Sequence, residues 1–230
     1  MNHLQDKDYK KLYQKYKFKY LNLKNNSIKG GAHIGSTAAN AISLIPDSVI
    51  SQNVGEFRIE GEQSNCTYNA GAAIGIIQDN LAEIQANIGN LGTPEAQAFF
   101  NRLWQNILND GRVAFQSNQN QMVDPNELYN DGNVIETESN IMDSDIGGPT
   151  VAQFIERLNQ RQYVMINHGG ETILIYRIDD NNYILVDTHV TTGFMLIIDL
   201  NNWLTRIYQQ YSLANEAVAP AFAWFAPAPQ

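Results

Sequence analysis

The sequence predicts an α+β domain, and three observations carry that prediction. Apolar residues recur at helical spacing in successive segments up to Leu158. Four short apolar runs, at 163–167, 172–178, 183–189 and 194–199, then follow one another over short connections. The second and third are joined by Asp179-Asp180-Asn181-Asn182, a hairpin composition. Helices first and consecutive antiparallel strands afterwards segregate the two element types, unlike the alternation of a parallel α/β sheet.

Taken in order, the first predicted helix covers residues 5–24. Tyr9, Leu12, Tyr13, Tyr16, Tyr20 and Leu23 share one face, and lysines fill the other. Asn25-Asn26-Ser27 ends it, and Gly30-Gly31 makes a flexible joint before a body expected to begin near Ala32. Ser48-Val49-Ile50 is a short apolar stretch ahead of Gln52. A helix is expected from Cys66 through Ala73, Ile77, Leu81 and Ile84 to about Gly89, with Gly71 and Gly75 implying close packing against a neighbour. Pro94 starts the next, which carries Phe99, Phe100, Leu103, Trp104 and Ile107 and is expected to end at Asp110-Gly111. Residues 112–149 read as a polar, turn-rich loop with short helical pieces. Pro149-Thr150 opens a helix through Val151, Phe154, Ile155 and Leu158, and a last helix over 201–211 carries Trp203, Leu204, Ile207 and Tyr208. The final residues are apolar and broken by proline, with no mark of a core element. The chain thereby divides into a basic helix and Gly-Gly linker over 1–31, one domain over 32–213, and an apolar Ala/Pro-rich tail over 214–230.

The net charge of −9 conceals a division. All eight lysines lie within residues 1–29 with only two acids, a net +6, whereas residues 30–230 hold seven arginines and 22 acids, a net −15. An acidic body argues against nucleic-acid binding, which needs cations facing phosphates. It suits a basic protein or peptide as substrate, or serves only solubility. No run approaches the length of a membrane span, and the N-terminus is too polar for a signal peptide. The single cysteine rules out an internal disulfide framework and suits a reducing compartment. Two of the four histidines have no partner at metal-ligand spacing, so neither a zinc site nor any other cofactor is expected.

The chemistry concentrates in two places. On a strand over 183–189, Asp187 and His189 stand at i and i+2 and leave from the same face, while Val186 and Thr188 point the other way. A carboxylate beside an imidazole can fix its tautomer and stabilise the imidazolium, the orienting role in a nucleophile–His–acid triad. Cys66, at a helix start, is exposed to the dipole and to unpaired amides that favour a thiolate and can donate to an oxyanion. The bland readings are a cysteine serving as a small buried hydrophobe and a strand-end histidine satisfied by Asp187 without further duty. His168, in Asn167-His168-Gly169-Gly170, is the competing histidine, but its turn composition favours a solvated or structural role.

Gln52-x-x-x-x-Phe57, then Gly61, Asn65-Cys66-Thr67-Tyr68-Asn69-Ala70 and Tyr183 to His189 resemble the herpesvirus large tegument protein deubiquitinases. Those proteins pair an upstream Gln with Cys-x-x-Asn-(Ala/Ser) and with Asp-Ser-His after a hydrophobic strand. The resemblance spans about residues 45–200, through motifs alone and with loose spacing between them. It implies a papain-like fold, a cysteine-bearing helix packed on a sheet bearing Asp-x-His, and hydrolysis of ubiquitin conjugates. Residue by residue it implies Cys66 as nucleophile, His189 as general base, Asp187 as its orienter and Gln52 as oxyanion donor. Asn65 stands where the family commonly has Gln, and Thr188 replaces its Ser; neither departure removes a reacting group. Gln63 is the rival oxyanion donor, placed close to the helix start.

The Tyr/Lys-repeating first segment resembles the N-termini of many proteins from mimivirus-like giant viruses. Together these resemblances imply a viral thiol protease, in the virion or the host cytoplasm, acting after a C-terminal Gly-Gly. The expected partners are ubiquitin or a ubiquitin-like protein and, through the first helix, other virion proteins, with no nucleic acid and no membrane span. The alternative is a catalytically silent virion structural or interaction protein with a papain-like fold. Lys29-Gly30-Gly31 also resembles a ubiquitin tail, so cleavage after Gly31 stands beside the plainer reading of a hinge.

Overall fold

The computed structural model describes residues 41–54, 57, 65–118, 134–138, 150–168, 171–213 and 221–225. The basic first helix, Gly30-Gly31 and Gln63 lie outside the described residues. In chain order the elements are β1 (Ala41–Ser43), α1 (Cys66–Asp79), α2 (Leu81–Ile88), α3 (Pro94–Ser117), β2 (Val134–Glu138), α4 (Val151–Gln160), β3 (Tyr163–His168), β4 (Glu171–Arg177), β5 (Tyr183–Val186), β6 (Phe194–Ile197), α5 (Leu200–Leu213) and β7 (Ala221–Phe225). The seven strands form one sheet, ordered β1-β6-β5-β4-β3-β7-β2, and every neighbouring pair is antiparallel. The chain is therefore of the α+β class.

Strands β3 to β6 read as unbroken apolar runs because both faces of the sheet are covered, and alternate residues go to opposite cores. Met165, Leu174, Tyr176, Ile184, Val186, Phe194 and Leu196 meet Ala73, Ile77, Phe100, Leu103 and Trp104 of α1 and α3. Val164, Ile166, Ile173, Ile175, Leu185, Met195 and Ile197 meet Phe154 and Leu158 of α4 and Leu200, Trp203 and Leu204 of α5. Each large side chain so buried contributes roughly 1.5–3 kcal/mol. Helix α4 begins in a reciprocal capping box: the Thr150 hydroxyl accepts from the Gln153 amide, and the Gln153 side chain accepts from the Thr150 amide. The expected hairpin holds, with Asp179 Oδ1 accepting from the backbone amides of Asn181 and Asn182.

Several expected boundaries are corrected. The helix expected from Cys66 to about Gly89 is two helices, because the Asn80 side chain takes the Ile76 carbonyl at 2.7 Å and ends the first ladder. Gly75 does not mark close packing, since a Cβ there would meet nothing within 4 Å. Gly111 does not end its helix: α3 runs on to Ser117, and Gly111 lies directly against Asn69 of α1. Asp187 and His189 do not lie on a strand, for β5 ends at Val186. Residues 134–138, within the expected loop, form β2, and residues 221–225 of the expected tail form β7 between β3 and β2. Residues 41–43 form β1 on β6, an edge strand too short to show a period.

A Cβ on Gly111 would lie 1.9 Å from Asn69 Oδ1 and 2.7 Å from Asn69 Cα. The second contact is with backbone, so no side-chain rotation relieves it and the helices must separate. Gly111→Ala is expected to destabilise by about 1–3 kcal/mol despite the better helix propensity of alanine. Thermal unfolding followed by circular dichroism measures this, and a variant as stable as wild type would refute the close approach.

Candidate active site

Cys66 is the first residue of α1, with Asn65 as its N-cap. The Asn65 side chain makes no capping bond; its amide donates instead to Asn69 Oδ1, one turn along, at 3.2 Å. The Cys66 sulfur accepts the backbone N–H of Thr172 on β4 at 3.2 Å. Beside it the hydroxyls of Thr67 and Thr172 meet at 2.9 Å and pin the first turn of α1 to the sheet. A helix N-terminus and an amide donor both favour negative charge on this sulfur.

Asp187 and His189 come together by another route than the one expected from strand alternation. Past the end of β5 the chain turns, and Asp187 Oδ1 accepts both the backbone N–H of His189 at 3.1 Å and its ring Nδ1–H at 2.9 Å. This is a side-chain-closed turn of the kind aspartate favours, and it fixes the imidazole as well as the backbone. The turn is braced by Asp187 N–H donating to the Gly193 carbonyl at 2.8 Å. Both partners are enclosed, with side chains only 6% and 1% exposed for His189 and Asp187. Burial of His189 disfavours its charge, but hydrogen bonds to Asp187 and to Cys66, together with their negative charges, outweigh burial and hold the imidazole well above its ordinary 6.5.

Gln52 is buried in a turn closed by a bridge between Ser51 and Val54. Its backbone N–H donates to the Thr188 carbonyl at 3.0 Å. Its side-chain Oε1 accepts from Asn69 Nδ2 at 3.0 Å and from the Thr188 hydroxyl at 2.6 Å. With Oε1 so engaged, Nε2 is the donor end of the amide. Asn69 is three residues beyond Cys66 on α1, so this contact holds Gln52 against the first turn of the helix that bears the sulfur. Upstream, Trp104 stacks on Phe194 and donates Nε1–H to the Ile50 carbonyl at 3.0 Å, which anchors the segment leading to Gln52.

The structure thus pairs His189 with Asp187, and it joins Gln52 both to Thr188 of the same turn and to Asn69 of the helix that Cys66 begins. His168 ends β3 opposite Glu171, and the placement of its side chain lies outside the described residues. Three positions that bear on the site were not assigned a role from sequence: Asn69, Thr188 and Trp104. Asn69 and Thr188 lay inside the quoted motifs, and the signal available was a short polar residue at a buried position beside each. Trp104 gave only a helical core period. Among the described residues no group of three or more His, Cys, Asp or Glu is placed to hold a metal ion, and no helix is long and apolar enough to cross a membrane. Chemically, a sulfur at a helix start, an imidazolium oriented by a carboxylate and an amide donor could together support acyl transfer. No protein-family model matches the chain, and no curated protein matches it significantly.

Proposed function

We propose that this chain is a papain-like cysteine peptidase that hydrolyses ubiquitin or ubiquitin-like conjugates after a C-terminal Gly-Gly. The observation that carries the reading is the Asp187–His189 pair, hydrogen-bonded at 2.9 Å, together with the Cys66 sulfur at the N-terminus of α1, whose negative charge is among the causes that raise the imidazole. The Cys66 thiolate attacks the scissile carbonyl carbon and forms a C–S bond. The oxygen takes the negative charge, facing Gln52 Nε2 and the backbone amide of Cys66. As the tetrahedral adduct collapses, the C–N bond breaks and His189 gives its proton to the departing amine. His189 then takes a proton from water as that water attacks the thioester, which releases the carboxylate and restores the thiolate.

The substrate assignment draws on the resemblance of the motifs, on the acidic body and on enclosure of the sulfur. Cys66 is 3% exposed, so a slender, extended tail without Cβ atoms is the kind of acyl group that fits. The same burial favours the second reading, a silent scaffold whose cysteine only packs. A ubiquitin suicide probe separates them. Adduct formation at Cys66, read by intact mass, supports the peptidase; an unmodified protein, with no turnover of a ubiquitin–fluorophore conjugate, favours the scaffold.

The pH profile offers a further check. The imidazolium contributes stability that is complete below its ordinary 6.5 and is lost as pH rises through its raised folded value. Acylation needs thiolate together with imidazolium, so the alkaline limb of kcat/KM is expected well above 6.5. Asp187→Asn keeps a carbonyl to accept the imidazole hydrogen bond but removes its charge. That limb should move down toward 6.5, with a smaller loss of kcat than in His189→Ala. An unmoved limb would show that Asp187 does not support the imidazolium.

A further inference from the structure

Thr188 stands between the two residues of the Asp–His pair, yet its carbonyl and its hydroxyl are both directed to Gln52. Its carbonyl accepts the Gln52 amide at 3.0 Å, its hydroxyl donates to Gln52 Oε1 at 2.6 Å, and that hydroxyl accepts from Asn69 Nδ2 at 3.1 Å. Thr188, Asn69 and Gln52 are each buried, at 2%, 0% and 3% exposure. Burial at this depth makes each missing partner expensive, so the geometry of the three is mutually determined. Asn69 Oδ1 is itself taken by Asn65, which assigns its amide: Nδ2 must face Gln52 and Thr188. Two donors, one from α1 and one from the His189 turn, therefore converge on a single oxygen of Gln52.

We infer that Thr188 and Asn69 are positioning residues that fix the Gln52 amide with Nε2 toward the reacting carbonyl, and that Thr188 ties this donor to the turn carrying the base. This rests on the peptidase reading and adds what that reading leaves open: why the oxyanion donor keeps one orientation and why it moves with His189. An amide flipped end for end would place Oε1, an acceptor, toward the developing oxyanion. It would also set Nε2 against Asn69 Nδ2, donor against donor. The threonine methyl is consistent with the same task, because a β-branched side chain is stiff about χ1 and holds its hydroxyl in one direction.

The test is a kinetic double-mutant cycle on the full chain with a ubiquitin C-terminal amide–fluorophore substrate. Gln52→Ala is expected to lower kcat by roughly 10²–10³ with little change in KM, the scale for one oxyanion donor. Thr188→Val removes the hydroxyl at nearly constant shape and should lower kcat by about tenfold or more, again at constant KM, bounded by that same scale. In the Gln52→Ala background it should cost little further, as expected of residues acting through one group. Thr188→Ser should restore most of the rate, and the alkaline limb of the pH profile should stay in place in Thr188→Val. Should that variant fold poorly, Asn69→Asp poses the same question. It withdraws the donor from Gln52 Oε1 without changing the outline of the side chain, and the same fall in kcat is expected. Losses that multiply in the double mutant, or a limb that moves, overturn the inference and assign Thr188 to the Asp–His pair instead. If the wild-type protein turns over no such substrate, the peptidase reading falls and the inference with it, an outcome distinct from active enzyme with multiplying losses.

Discussion

Cys66→Ala is expected to abolish hydrolysis of a ubiquitin–fluorophore conjugate while leaving the protein folded. Removing the nucleophile from a set of groups that act as a unit costs on the order of 10⁶ in kcat, with the residue of activity left to binding and oxyanion stabilisation. The structural side of the expectation follows from position. Alanine suits a first helical turn, and the substitution deletes one sulfur atom, which accepts the Thr172 amide at 3.2 Å. That amide loses an acceptor, which costs about 1–3 kcal/mol if water does not replace it. The variant should therefore remain folded, bind a ubiquitin tail without cleaving it, and resist the suicide probe. A Cys66→Ala protein that still hydrolyses the conjugate would remove the proposed mechanism. One that unfolds would assign the cysteine to the core, where free cysteines are often found.

How much of this was legible in the sequence depends on what each residue had to announce. The α+β order was legible because period and composition are local signals: apolar stretches before residue 158 recur at helical spacing, and the runs after 162 are short and joined by turn residues. Strand faces were harder to read. With helices on both sides, β3 to β6 have no polar face, and an unbroken apolar run says strand without saying which residue points where. The edge elements were missed for a different reason. β1 has three residues and β2 and β7 five each, and what makes them strands is pairing with distant segments such as β6 and β3. Pairing of that kind leaves no mark within five residues.

The Asp187–His189 pair shows a correct association reached through a wrong geometry. Alternation on a strand would have brought the two together, and so does the turn that exists instead, because aspartate can close on the backbone and the ring of the residue two ahead. The turn explains something that a strand would not. With β5 ended at Val186, the Thr188 carbonyl and hydroxyl are both directed to Gln52 rather than into a ladder. The glycines carried the reverse lesson. Gly75, in the middle of a helix, suggested a contact that is absent, whereas Gly111, which read as a helix end, allows Asn69 to approach within a side-chain atom of α3. A glycine in a sequence marks permission for close approach; only the tertiary partner says whether the permission is used.

Gly193→Ala is expected to be the most damaging substitution outside the four candidate residues. An ideal Cβ on Gly193 would lie 1.8 Å from the Asp187 carbonyl oxygen and 2.8 Å from its carbon, and both are backbone atoms. The overlap can be relieved only by opening the turn. That breaks the Asp187 N–H bond to the Gly193 carbonyl at 2.8 Å and tilts the carboxylate that holds His189. Strain and the lost hydrogen bond together should cost about 2–4 kcal/mol, which for a chain of this size lowers the melting temperature by about 4–16 °C. Displacing the base by about 1 Å should cost on the order of 10² in kcat, measured well below the variant's own melting temperature so that folded protein is compared with folded protein. The chemically identical change Gly75→Ala is the control. It meets open space in the exposed middle of α1, and should leave kcat alone while stabilising by up to about 1 kcal/mol. Opposite signs at the two glycines would tie the loss to the packing of the His189 turn. A Gly193→Ala protein with wild-type stability and rate would mean that the turn has another conformation that serves His189 equally well.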